Sequence, residues 1–189
     1  MTCLEGCFAF GRAREPDLRV LVVNDVYKPE RFALVRSLAR GLRSKAHLLV
    51  LPGDLLGGSL FASEHRGQST LEVLNATQVD YCVLGNHEFD YGHERLRQLM
   101  DMSSFQWLGS NVRESTERRP MFHKTLDMDV VPLPCGVKVG IFGLCTPWTP
   151  HLSHPGPQVA FEDPVSHARR PGPRGWLHHS SIISDQRTP

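Results

Sequence analysis

Tyr81-Cys82-Val83-Leu84-Gly85-Asn86-His87-Glu88-Phe89-Asp90-Tyr91-Gly92 is the stretch on which the fold turns. Its first four residues form a short apolar run, the pattern of a buried strand. The run stops at Gly85, and three polar residues follow at once. A strand that ends this way presents Asn86 and His87 at the carboxyl edge of a sheet, where open α/β sheets bind ligands. Gly85 is expected to turn the backbone sharply and Gly92 to release it into the next helix.

The same grammar occurs twice upstream. Leu18–Val23 is rich in β-branched residues and leads into Asn24-Asp25-Val26-Tyr27; His47–Leu51 is apolar and leads into Pro52-Gly53-Asp54. Three strands thus each end in an oxygen ligand suited to a metal: Asp25, Asp54 and Asn86. The intervening segments are long enough for the crossover helices that parallel strands need. If the strands are neighbours, the three side chains share one edge.

Gly53-Asp54 followed by Gly85-Asn86-His87-Glu88-Phe89-Asp90-x-Gly92 resembles the calcineurin-like metallophosphoesterase superfamily, and its 5′-nucleotidase branch in particular. Ser110-Asn111-Val112 is close to a further Ser-x-Asn feature of that branch. The resemblance runs from about Arg19 to Ala168. It implies an α/β fold, the four-layer α/β/β/α sandwich, here incomplete at the C-terminus. It also implies two divalent ions (Mn, Zn, Mg or Fe) that clamp a phosphate. In such two-metal sites the ions stabilise attacking and leaving oxygens and lower the pKa of bound water. By resemblance Asp54 bridges the ions, Asp25 serves the first and Asn86 offers its amide oxygen to the second. His87 stabilises phosphoryl charge and assists the leaving group, paired with Asp90. Asn86 and His87 also meet the substrate, and Glu88 holds the loop.

Two departures from the family pattern stand out. The first strand carries Asp25-Val26-Tyr27 where the family has Asp-x-His. A phenol with a pKa of about 10 is a poor ligand for a divalent ion. Tyr27 is either a phenolate for a harder trivalent ion or a pocket wall, and the first metal site is expected to be weakened. The family also supplies later histidines, two of them in Gly-His-x-His, and no such motif is present. His151, His154, His167, His178 and His179 do not follow apolar strands.

Composition sets the outer bounds. At 189 residues and 40% hydrophobic content the chain suits one globular domain with a sizeable core. A net charge of +1 gives no electrostatic case for nucleic acid or an anionic membrane, and the 10 histidines suit a metal protein. The five cysteines contain no Cys-x-x-Cys pair. Cys82 and Cys145 lie in apolar runs and read as small core residues, which favours a reducing compartment. Met1–Pro16 lacks the charged start and apolar stretch of a signal peptide, and no run approaches the roughly 18 apolar residues of a membrane span. The expected location is cytoplasmic, unlike many exported 5′-nucleotidases.

Met1–Asp17 reads as a flexible arm and residues 18–168 as a partial metallophosphoesterase domain. Pro29 sits at the first turn of a helix whose apolar face is Phe32, Val35, Leu38, Ala39 and Leu42; Arg36, Arg40 and Arg43 form its solvated face. Gly57–Gln68 reads as a loop. Ser69–Gln78 and Gly92–Met102 read as helices and Gln106–Leu108 as a strand. Leu126–Val131 and Val137–Leu144 read as an antiparallel hairpin or meander, the second run a buried strand. Beyond Ala168, Arg169-Arg170-Pro171-Gly172-Pro173-Arg174-Gly175 ends any helix, and residues 169–189 read as a disordered tail. The abrupt shift suggests a C-terminally truncated product. Two functions compete: a metal-dependent hydrolase of a phosphomonoester, a nucleotide above all, or a catalytically dead relic that binds phosphate or a partner protein without turnover.

Overall fold

The computed structural model describes residues 18–26, 28–42, 47–57, 59–134, 136–169 and 183–184. Strand β1 (Arg19–Val22) is followed by a 3-10 turn, Pro29–Arg31, and helix α1 (Phe32–Leu42). Then come β2 (His47–Leu51), α2 (Leu60–Glu64), α3 (Gln68–Thr77) and β3 (Tyr81–Val83). After them lie α4 (His93–Met102), β4 (Gln106–Leu108), β5 (Val112–Glu114) and β6 (Thr125–Leu126). The rest comprises β7 (Asp129–Pro132), β8 (Lys138–Ile141), β9 (Gly143–Leu144), α5 (Thr149–Leu152), β10 (Val159–Phe161), α6 (Pro164–Ala168) and β11 (Ile183–Ser184).

The centre is a five-stranded sheet in the order β1-β2-β3-β4-β6, parallel at every pairing. Because side chains alternate along a strand, each inner strand feeds two cores. Leu49, Leu51, Cys82 and Trp107 face a core shared with Phe32 and Ala39 of α1, Leu71 and Leu74 of α3, and Leu96, Leu99 and Met100 of α4. Val50, Tyr81, Val83 and Leu108 face a second, smaller core with Ile141 and Val131. Those last two come from the antiparallel β7–β8 hairpin. The Tyr81 hydroxyl donates to Asp129 Oδ2 at 2.7 Å and ties the hairpin to the sheet. Layers of helix, parallel sheet and hairpin follow, in agreement with the expected α/β architecture. Among the described residues no helix is long and apolar enough to cross a membrane.

Several expectations shift in detail. Leu126–Val131 is not one strand: Thr125–Leu126 joins the parallel sheet and Asp129–Pro132 joins the hairpin. Val137–Leu144 also divides, and only its second half is buried; Val137 is exposed. A Cβ at Gly143 would stand 2.7 Å from Val83 Cγ1 and 2.8 Å from Leu108 Cβ, so the glycine lets β9 press onto the sheet. On α1, Leu38 is 62% exposed and Phe32 and Ala39 carry the burial. Within Gly57–Gln68 a short helix, α2, forms where a loop is expected; Ser59 caps it by accepting the Ala62 N–H at 3.1 Å. Cys82 and Cys145 are buried free thiols, as expected. Of the tail, residues 183–184 pair in parallel with Gly143–Leu144. Tyr27, Arg43, the arm 1–17 and residues 170–182 and 185–189 lie outside the described residues.

Candidate metal centre

The three candidate oxygen ligands sit on three neighbouring parallel strands. Asp25, Asp54 and Asn86 each lie three residues past the last residue of their strand: Val22, Leu51 and Val83. They therefore share the carboxyl edge of the sheet, and the loops that carry the second and third pack against each other. A Cβ on Gly53 would come within 2.9 Å of Gly85 Cα, and one on Gly85 within 2.6 Å of Asp54 Oδ1. Gly85 is thus required for close approach. The positive-φ turns lie next door, at Gly53 (φ 120°) and Asp54 (φ 59°). Asp25 is also left-handed, with φ 54°. Aspartate tolerates that region better than most side chains, yet two such residues at one edge mark held backbone.

Glu88 does the holding at Asp54. It is 1% exposed and accepts four backbone N–H groups: Asp54 (2.9 Å), Leu55 (2.7 Å), Leu56 (3.1 Å) and Gly85 (2.7 Å). Burial, and then the Asp54 charge, push its carboxyl up to about 7 against the pull of those donors. Asp54 is 2% exposed. Its Oδ1 accepts the His87 N–H at 3.1 Å, whereas its Oδ2 is buried with no hydrogen-bond partner. A buried carboxylate oxygen without a donor is costly. A cation is the partner that its charge calls for, so this residue fits a metal ligand. Asn86 is buried beside it, and the Asn24 amide donates to Asp25 Oδ2 at 2.8 Å.

His87 and Asp90 form a pair, with Nδ1 to Oδ2 at 2.8 Å. The bond to Asp90 raises the imidazole pKa; partial burial opposes it, and the charges of Asp90, Asp54 and Glu88 add to the rise. Sequence reading missed two contacts of this pair. Ser153 donates its hydroxyl to Asp90 Oδ1 at 2.8 Å. Gly57 lies so close that a Cβ there would stand 2.0 Å from Asp90 Oδ2. No local motif signals either, since Ser153 is 63 residues from its partner.

Ser110 and Asn111 act as staples. Asn111 donates to the carbonyls of Cys145 (2.8 Å) and Glu162 (2.9 Å) and accepts the Cys145 N–H at 2.8 Å. Ser110 donates to the Asp127 carbonyl at 2.6 Å and accepts the Gly143 N–H at 3.2 Å. Buried Arg113 bonds the Ser110 carbonyl at 2.6 Å and pairs with Asp127 at 2.8 Å. The later histidines disperse: His151 lies tilted against exposed Trp148, and His167 pairs with Glu162 at 3.1 Å. His178 and His179 lie outside the described residues. Among the described residues no three His, Cys, Asp or Glu side chains gather to hold a metal.

Comparison with known proteins agrees with the fold. A family model described as calcineurin-like phosphoesterase matches residues 18–177. The snake venom 5′-nucleotidase of Crotalus adamanteus is 33% identical over 166 residues, which cover 78% of this chain and 27% of that protein. The human 5′-nucleotidase is 33% identical over 129 residues, 66% of this chain and 22% of that protein. Among solved structures, the NAD nucleotidase of Haemophilus influenzae superposes with a TM-score of 0.71 at 28% identity, covering 80% of this chain and 30% of that one. The 5′-nucleotidase precursor of Thermus thermophilus gives 0.69 at 30% identity, covering 80% and 33%. The chain spans only about a fifth to a third of the length of such relatives.

Proposed function

Because the chain belongs to the calcineurin-like phosphoesterase family, we propose that its carboxyl-edge site serves metal-dependent hydrolysis of a phosphomonoester, with a nucleotide as substrate. The observation that carries this reading is the buried Asp54 Oδ2 without a hydrogen-bond partner. Asp54, Asp25 and the Asn86 amide oxygen would hold the ions, the first of them more weakly. Two bound divalent ions would supply an activated water and charge stabilisation. The chain's own groups do the rest. The protonated His87 ring donates from Nε2 to the phosphoryl or leaving oxygen, while Asp90 accepts its Nδ1–H, favours the charged form and orients the ring. Asn86 and His87 together orient the phosphate. A small soluble phosphoester, rather than nucleic acid or membrane, is the partner this proposal needs, in a cytoplasmic setting.

A second reading, a non-catalytic phosphate or protein binder, draws on the absence of a three-residue metal cluster among the described residues. One experiment separates the two. Manganese or zinc is titrated calorimetrically into the chain and its Asp54→Asn variant, and release of phosphate from adenosine monophosphate is followed with and without Asn86→Ala. Metal uptake lost in Asp54→Asn, with turnover lost in Asn86→Ala, supports the hydrolase. Metal-independent phosphate binding without turnover supports the binder.

A further inference from the structure

The His87–Asp90 pair has a third member from a distant part of the chain. Ser153 lies just past α5, is 9% exposed, and points its Oγ at Asp90 Oδ1. A hydroxyl can only donate to an ionised carboxylate, so Ser153 serves one oxygen while His87 Nδ1 serves the other. Together the two donors fix the rotation of the carboxylate. Rotation of the carboxylate out of that plane would strand the hydroxyl. Gly57 leaves no room for the carboxylate to swing in its direction.

Ser153 is itself held at both ends. Its backbone N–H donates to the Thr149 carbonyl at 2.9 Å, and the buried Thr149 hydroxyl donates to the Thr146 carbonyl at 2.8 Å. The preceding Cys145 is stapled by Asn111. On the far side His93 Nδ1 donates to the Pro155 carbonyl at 2.8 Å. The hydroxyl is therefore delivered by a pinned segment, the condition under which a supporting contact sets geometry.

We propose that Ser153 is a positioning residue for the His87–Asp90 pair. It locks the carboxylate so that the imidazole keeps its proton on Nδ1 and its ring in one orientation. This rests on the hydrolase reading for its purpose, but its test needs neither metal nor turnover. The metal-free chain, with 15N-labelled histidine, is studied by long-range proton–nitrogen NMR above the imidazole titration range, with His87→Gln assigning the signal. In the parent, His87 shows one tautomer with the proton on Nδ1. Ser153→Ala yields a mixture, and Ser153→Thr, which restores the hydroxyl, restores the single tautomer. In an Asp90→Asn background Ser153→Ala produces no further change. Should Ser153→Ala fold poorly by its amide spectrum, Ser153→Cys, a weaker donor of similar size, gives the same reading. A His87 signal unmoved by loss of the hydroxyl overturns the proposal, as does a change that Ser153→Thr fails to reverse. With manganese and adenosine monophosphate, kcat falls about tenfold in Ser153→Ala at constant KM. Absence of turnover in the parent itself counts against the hydrolase and leaves the tautomer measurement to judge Ser153.

Discussion

The two flanks of the site are built differently. Around Asp54, the loops after β2 and β3 are locked together by Glu88, by the Gly53–Gly85 approach and by the His87 N–H. Around Asp25, the loop follows β1, an edge strand of the parallel sheet, whose Val20 and Val22 are exposed. Asp25 is half-buried, and Asn24, which bonds it, is exposed. One flank is preorganised by buried donors and acceptors; the other leans on a solvent-facing edge. Metal sites hold their ions through such supporting contacts, so on the proposed hydrolase reading the Asp54 flank would take its ion first.

The sharpest way to break this contrast is Glu88→Ala. It strands four buried N–H groups, each costing roughly 1–3 kcal/mol when unsatisfied, with some relieved by water. The expected loss is more than about 3 kcal/mol by urea unfolding. A loss below about 1 kcal/mol would show that the clamp is not what holds the flank. Next comes Gly57→Ala, whose methyl collides with Asp90. Overpacking of this kind costs about 1–3 kcal/mol and should also release the His87–Asp90 bond, visible as a fall in the His87 pKa by NMR.

The pH dependence of that pair is a smaller effect with a defined sign. His87 holds its proton more tightly when folded than in the unfolded chain, chiefly through Asp90. Its contribution to stability is fully present below the ordinary imidazole value of 6.5 and is lost as pH rises through the raised folded value. Asp90→Asn should flatten this slope, and an unchanged slope would assign it to another group. The smallest effect is expected at Asn24→Ala. It removes one exposed bond to Asp25, so stability should move by less than about 1 kcal/mol. A large loss there would erase the distinction between the flanks.

Much of this was legible in the sequence because it is written locally. Each ligand candidate follows its own strand, and apolar runs with β-branched residues announce β1, β2 and β3. The Asp54–Gly85 contact and the role of Glu88 were only half visible: a motif marks the residues, but acceptances across 32 to 34 positions are a property of the assembled loops. Ser153 and Gly57 were invisible, since nothing near either residue shows that Asp90 is its neighbour. Periodicity misplaced Leu38, because the sheet behind α1 covers only a narrow stripe of the helix, centred on Phe32 and Ala39. Apolar runs near Val137 and Leu126 overstated strand length, because periodicity does not register where a chain leaves one sheet for another.

The outer strand has a practical corollary. Val20 and Val22 project from an edge that, among the described residues, pairs on one side only. β-branched side chains on an unpaired edge invite another chain to add its own strand. Concentrated preparations should self-associate through β1 before they unfold, and Val20→Lys is the substitution that should keep them monodisperse.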